Sequence, residues 1–238
     1  MKLNHNGRSL VLKFRGTVVN SKGELMNTSS KTVLKISLAL NLIVVVLDTI
    51  GIVQGLGRPG QSMFLFYTED SNILSLAACA CFSVCTILIL SGRLSEMPRW
   101  AQILKYMAAC CLTLTFLVVV CVLAPMNGAD GYQHMLIEGQ FLYFHLLCPI
   151  LVFISFVFFE KKPRLDRKAV RYAVIPTLVY AAIVIVLNIT GTITGPYPFL
   201  MVREQPVWQS ILWCVAILGG DLLISELVRR ANAAGGAA

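Results

Sequence analysis

Charge is what this sequence has least of. Only 13% of its 238 residues are Asp, Glu, Lys or Arg, about half the roughly 25% of an average soluble domain. That shortage excludes an ordinary soluble enzyme, and a mean hydropathy of +0.75 excludes a disordered chain. Histidine is scarce as well: His5, His134 and His145 are the three, and only His145 falls in a long apolar run, so a haem held by two intramembrane histidines lacks its second ligand. The eight cysteines form no C-x-x-C pair and no zinc-ligand spacing. Neither a metal nor another cofactor is therefore expected. G-x-S-x-G is missing, which excludes a conventional α/β-hydrolase. The period-two alternation of membrane β-strands does not recur. The first 30 residues are polar and basic, without the apolar core of a signal peptide.

What is abundant is apolar residue in long runs. A transmembrane helix needs about 20 mostly apolar residues to cross hydrocarbon roughly 30 Å thick. Six stretches qualify, at approximately 33–54, 71–92, 102–124, 139–159, 169–190 and 207–227. The expected fold is all-α: a polytopic bundle of six transmembrane helices over 33–230. It is preceded by a loosely ordered segment, 1–32, and followed by a small-residue tail, 231–238. Met26, just before the first run, offers an alternative start.

Basic residues give the orientation. Lys2, Arg8, Lys13, Arg15, Lys22, Lys31 and Lys35 precede or open the first run. Arg93, Arg99 and Lys105 border the second connection; Lys161, Lys162, Arg164, Arg167, Lys168 and Arg171 crowd the fourth; Arg229 and Arg230 follow the last. With six spans these all share one side, and only Arg58 and Arg203 take the other. Both termini are expected in the cytoplasm, in a plasma membrane. The net charge of +8 then reflects basic loops facing anionic headgroups. No nucleic-acid partner is expected, since the loops lack interleaved aromatic and basic residues. Membrane lipids are the expected partners.

Ionisable groups inside a bilayer are costly and mark function by default. Ser37, Asn41 and Asp48 share one face of the first span. Thr68, Asn72, Ser75 and Cys79 make one stripe if helix has begun by Thr68. His145 falls roughly 10 Å below the outer surface at a rise of about 1.5 Å per residue, with Glu138 seven residues before it on nearly the same face and Pro149 expected to kink the helix after it. Asn188 closes the fifth span. Asp48, Thr68, Asn72, His145 and Asn188 thus gather in the outer half of the membrane, which suggests one shared site. Asp221 lies deeper, toward the cytoplasmic side, where it is expected to pack as an ion pair or helix-end partner, with Lys105 a candidate. The cysteines, all inside predicted spans, read as small buried apolar residues.

Three short motifs add a resemblance. YTEDSN at 67–72, HLLCP at 145–149 and GPYPFL at 195–200 resemble F-T-x-x-S-N, H-x-x-x-P and G-x-Y-P-Y-P-F-L-D, in order and at matching topological positions, of a six-span membrane family. That family has bacterial members; its animal members are the androgen-induced and androgen-dependent (ADTRP-like) hydrolases of fatty acid esters of hydroxy fatty acids. The likeness covers roughly 33–230. By position it implies Thr68 as nucleophile and His145 as its partner. Glu69 and Asp70 depart from the motif, as does Met201 where the family has an acid. A threonine hydroxyl needs an adjacent base, which an imidazole supplies. Asp48 or Glu138 could orient that imidazole, and Asn72, Ser71 or a free amide of span two could donate to an oxyanion. Asn188 and Tyr197 complete the expected supporting set. The substrate implied is a lipid ester entering from the outer leaflet; the competing reading is a non-enzymatic transporter or lipid-binding protein with the same polar cavity.

Overall fold

The computed structural model describes residues 28–57, 62–160 and 165–234. His5, Met26, Lys2, Arg8, Lys13, Arg15, Lys22, Arg58, Lys161, Lys162 and Arg164 lie outside the described residues, as does 235–238. The described chain is helical, with no strand among those residues. We label the helices α1 (Thr28–Leu56), α2 (Tyr67–Leu90), α3 (Arg99–Met126), the short α4 (Gly131–Ile137), α5 (Leu142–Phe159), α6 (Ala169–Ile189) and α7 (Val207–Ala234). All but α4 are long and apolar enough to cross a membrane, six in number. The protein is a multi-pass membrane bundle. Leu34 of α1 and Asn232 of α7 line one cavity, so the chain enters and leaves at the same side, called here the terminal face.

The helices are inside-out relative to those of soluble proteins. On α1, Ser37, Asn41, Val44, Asp48, Gly51 and Gly55 recur at three- and four-residue spacing and are all buried, while Leu42, Val46 and Val53 on the opposite face are exposed. The polar stripe turns inward because lipid cannot hydrogen-bond it. α3 is the most buried span and touches α2, α5, α6 and α7. Small residues let it approach them: Ala101, Ala108, Ala109, Cys110 and Cys111 are buried along its length.

Three of the helix boundaries that differ from those expected bear on the polar residues. α2 starts at Tyr67, four residues early, so Thr68, Asn72, Ser75 and Cys79 do form one buried stripe. α5 starts only at Leu142, because Glu138 is extended and Gly139 has φ +55°, a conformation glycine adopts without strain. Glu138 is therefore not on the helix that carries His145. α7 runs past 227 to Ala234. Pro149 acts on α5 by widening it: the turn Leu142–Leu147 is π-helical, and the Cys148 amide reaches back to the Tyr143 carbonyl. Proline lacks the N–H that would bond the His145 carbonyl, and a π-turn absorbs the mismatch.

Lys105 corrects the count of loop charges. Its side chain is fully buried, 3.6 Å from Glu160 Oε1, and its partner is not Asp221. The neighbouring Tyr106 explains why. Its hydroxyl donates to the Ser225 carbonyl on α7 at 2.6 Å, and adjacent residues on a helix point about 100° apart. Lys105 is thereby turned away from α7 toward α1 and α2. Asp221 instead accepts from Ser225 at 3.5 Å. The terminal-face end of α7 is fixed by Asn232, whose Nδ2 donates to the carbonyls of Phe156 at 2.6 Å and Glu160 at 3.1 Å.

The tightest approach of α1 to α5 is Gly51 against Phe144: a Cβ there would stand 2.5 Å from the buried ring. Gly51→Ala should therefore destabilise the bundle by about 1–3 kcal/mol, read as a lower thermal midpoint in detergent, with Gly57→Ala, which meets only an ordinary contact, as the unaffected control.

Candidate functional site

The loop after α6 builds one wall of the site. Asn188, buried at the end of α6, donates from Nδ2 to the Ile193 carbonyl at 3.1 Å and accepts the Arg203 N–H at 3.2 Å. Both ends of the loop are thus tied to one side chain. Gly195 has φ +98°, and a Cβ there would meet the Leu200 carbonyl oxygen at 2.9 Å, so this turn requires glycine. Tyr197 follows in extended conformation, and Pro198 opens a single 3-10 turn. The result is a phenol folded back over the start of α2.

There it meets Thr68. The Thr68 N–H donates to Tyr197 Oη at 3.3 Å, and the two hydroxyls are 3.2 Å apart. A helix start has amides without intrahelical partners, and the residue preceding α2, Phe66, offers no side-chain cap; the phenol takes that role. Burial holds the Tyr197 phenol above its ordinary range, so it keeps its proton and can donate. The Thr68 carbonyl accepts Ser71 Oγ at 2.9 Å and Asn72 Nδ2 at 2.7 Å. Phe66 meets the Tyr197 ring edge-on and Phe199 stacks on it, with centroids 6.0 and 5.1 Å away.

Thr68 and Tyr197 line a pocket of about 60 Å³ between α2, α3, α6 and α7. Its walls are apolar apart from hydroxyls of Tyr67, Thr68, Thr115, Thr177, Tyr180 and Tyr197 and the Cys214 thiol. Tyr67 Oη is 2.8 Å from Thr177 Oγ1, and Tyr180 donates to the Leu65 carbonyl at 2.9 Å. A larger cleft of about 380 Å³ opens between α2 and α6, with Asp70 and Ser71 among apolar side chains. Tyr67 and Tyr180 border both spaces and pack edge-to-face at 5.2 Å, so this aromatic pair is the partition between them.

His145 approaches the start of α2 from the other side. It is buried, its ring stacks on Phe141 at 4.8 Å, and Nδ1 lies 2.5 Å from the Met135 carbonyl. A carbonyl only accepts, so Nδ1 carries the hydrogen of this contact. Two contacts stitch α5 and the turn before it to α2: Gln140 Nε2 donates to Glu69 Oε1 at 3.2 Å, and Asn72 Nδ2 to the Phe144 carbonyl at 3.3 Å. His145 is the next residue after Phe144, but it does not line the pocket that Thr68 lines.

The other expected site residues are distributed as follows. Ser71 and Asn72 hold Thr68, and Ser71 is also 3.2 Å from Thr115 Oγ1. Asn188 positions the loop. Glu138 is exposed and paired with His134 at 2.7 Å. Asp48 is fully buried beside Ser75 and Cys148, with neither oxygen hydrogen-bonded among the described residues. The sequence reading did not single out Tyr67, Thr115, Thr177 or Tyr180. Their only signal was a hydroxyl within an apolar span, shared with many residues. Among the described residues, no three His, Cys, Asp or Glu side chains converge as metal ligands.

Asn188→Leu should free the loop: it removes both part-buried bonds, at about 0.5–1.5 kcal/mol each. Limited proteolysis between 190 and 206 should accelerate while cleavage elsewhere keeps its rate. In sequence and fold comparison the chain matches no family profile, no curated protein and no solved structure, so the motif likeness stands on its own residues.

Proposed function

We propose that the protein hydrolyses lipid esters within the membrane, with Thr68 as nucleophile and His145 as general base. The observation that carries this reading is the Thr68 hydroxyl: it lines an apolar pocket among other hydroxyls, one tyrosine pair away from a cleft that opens between two spans. An acyl chain can remain in apolar surroundings there while its ester reaches Thr68. The first two motifs point to the same two residues, and the third carries Tyr197.

In this scheme His145 Nε2 takes the hydroxyl proton as Thr68 Oγ1 bonds to the ester carbonyl carbon. The carbonyl oxygen becomes an oxyanion, to which the Tyr197 phenol donates. The C–O bond breaks, the alkoxide leaves with the proton from His145, and water cleaves the acyl-threonine by the reverse sequence of proton transfers. Ser71 and Asn72 act as positioning residues through the Thr68 carbonyl. The Met135 carbonyl holds the imidazole through Nδ1, and Glu138 is engaged by His134, so the scheme assigns the orienting role to that carbonyl and to neither carboxylate. The positive-inside count supports a cytoplasmic terminal face, and with it a pocket on the outer-leaflet side.

One observation favours the second reading, a lipid-binding or transport protein: Thr68 is engaged by Tyr197, and His145 is absent from the pocket lining. Turnover separates the two. The purified protein in detergent or nanodiscs should cleave a fatty acid ester of a hydroxy fatty acid and react with a fluorophosphonate. Thr68→Ala should lose both, His145→Gln should lose about 10²–10⁴ in kcat, and Tyr197→Phe about 10²–10³. Label that survives Thr68→Ala, or lipid binding without turnover, would replace the hydrolase with the second reading.

A further inference from the structure

A second buried polar assembly lies where α1, α2, α3 and α5 meet, sharing no residue with the Thr68 pocket. Its centre is Lys105. The ammonium donates to Asn41 Oδ1 at 2.5 Å and Cys79 Sγ at 3.1 Å and is 3.6 Å from Glu160 Oε1. That same Glu160 oxygen accepts from Asn41 Nδ2 at 2.6 Å, Ser37 Oγ at 3.3 Å and Ser155 Oγ. Glu160 Oε2 is buried and has no hydrogen-bond partner among the described residues. One carboxylate oxygen is saturated, and among the described residues the other is bonded to none.

Asp48 supplies a second carboxylate. It follows Asn41 by seven residues on the same face of α1, fully buried, with both oxygens unbonded among the described residues. The cation that acts on it is Lys105. Ser75 lies beside Asp48 and 3.9 Å from Cys79 Sγ. Among the described residues, the titratable groups that face one another here are Asp48 from α1, Cys79 from α2, Lys105 from α3, Cys148 from α5 and Glu160 just past its end.

Two carboxylates and one ammonium leave an uncompensated negative charge if all are ionised. Burial disfavours that charge strongly, and binding one proton removes it. We propose that Asp48, Lys105 and Glu160 form a proton-binding site that holds one carboxylic acid proton and relays it between Glu160 and Asp48 by way of Lys105, Cys79 and Ser75. In the transfer the Lys105 ammonium gives a proton to Cys79 as the thiol passes its own to Ser75, and the Ser75 hydroxyl passes its own to the Asp48 carboxylate. The Glu160 acid then reprotonates the Lys105 amine. The net change is one proton moved from Glu160 to Asp48, with the cluster neutral before and after. Glu160 borders a cavity of about 60 Å³ at the terminal face, lined also by Ser37, Gln102 and Asn232. That is several times the room one water needs, so this end exchanges with solvent. The inference does not rest on the hydrolase reading.

Difference infrared spectroscopy of the purified full chain tests it through the C=O stretch of protonated carboxylic acids at neutral pH. Each variant is read against wild type, so that bands from acids outside the cluster cancel. Asp48→Asn and Glu160→Gln should each remove one acid, because the remaining carboxylate can then ionise against Lys105. Lys105→Met should add one acid. Cys79→Ala should keep the acid but slow its isotope shift after transfer to D2O at least severalfold. Spectra of Asp48→Asn and Glu160→Gln that match wild type would overturn the proton site even if Lys105→Met fails to fold. An unchanged exchange rate in Cys79→Ala would overturn the relay.

Discussion

Lipid tails solvate a leucine about as well as another leucine does, so apolar contact gives these helices little reason to associate. Their association depends on the polar stripe that each span turns inward. Asn41 shows the principle at one residue: its amide and carbonyl reach Ser37 on its own helix, Ser155 on α5, Glu160 just past the end of α5, and Lys105 on α3. Each of these groups would be unpaired in hydrocarbon if the helices separated. Tyr106 to Ser225, and Asn232 to Phe156, extend the same logic to α7. α7 needs such ties most, because it is the span with the smallest buried share.

α2 is the wall between two polar regions of different character. Thr68 and Ser71 look toward α3 and the loop after α6, where partners are neutral hydroxyls and aromatic rings. Ser75 and Cys79 look toward α1, α3 and α5, where partners are charged. Asn72 lies between, bonded to Thr68 within its helix and to Phe144 on α5. This partition follows from residue spacing: positions three and four apart share a face, and one added residue rotates the next group by about 100°. A neutral pocket suits an uncharged ester and an apolar chain, whereas the charged assembly can take up no apolar group without desolvating its ions.

Much of the bundle was legible in the sequence because hydropathy and helix period are local properties. Six apolar runs, the inward face of Ser37, Asn41 and Asp48, and the stripe from Thr68 to Cys79 follow from spacing alone. Boundaries were less legible where backbone detail intervened. Gly139 ends one helical turn before Leu142 begins another, and Pro149 changes the turn that carries His145 from α to π. Glu138 left the helix of His145 for the first of these reasons, and the seven-residue spacing that seemed to join them no longer applied.

The sequence by itself determined that the chain crosses the membrane, how many times, and which face of each span is polar, since these depend only on composition and on 3.6 residues per turn. Only the tertiary structure decided which polar groups meet. Lys105 pairs with Glu160 and not Asp221 because Tyr106 commits the adjacent face of α3 to α7. Thr68 lies against Tyr197, 129 residues away, because Asn188 and Gly195 fold a loop back across the bundle. Such pairings are set by packing between distant segments, and no local pattern encodes which of several buried polar side chains will be within reach.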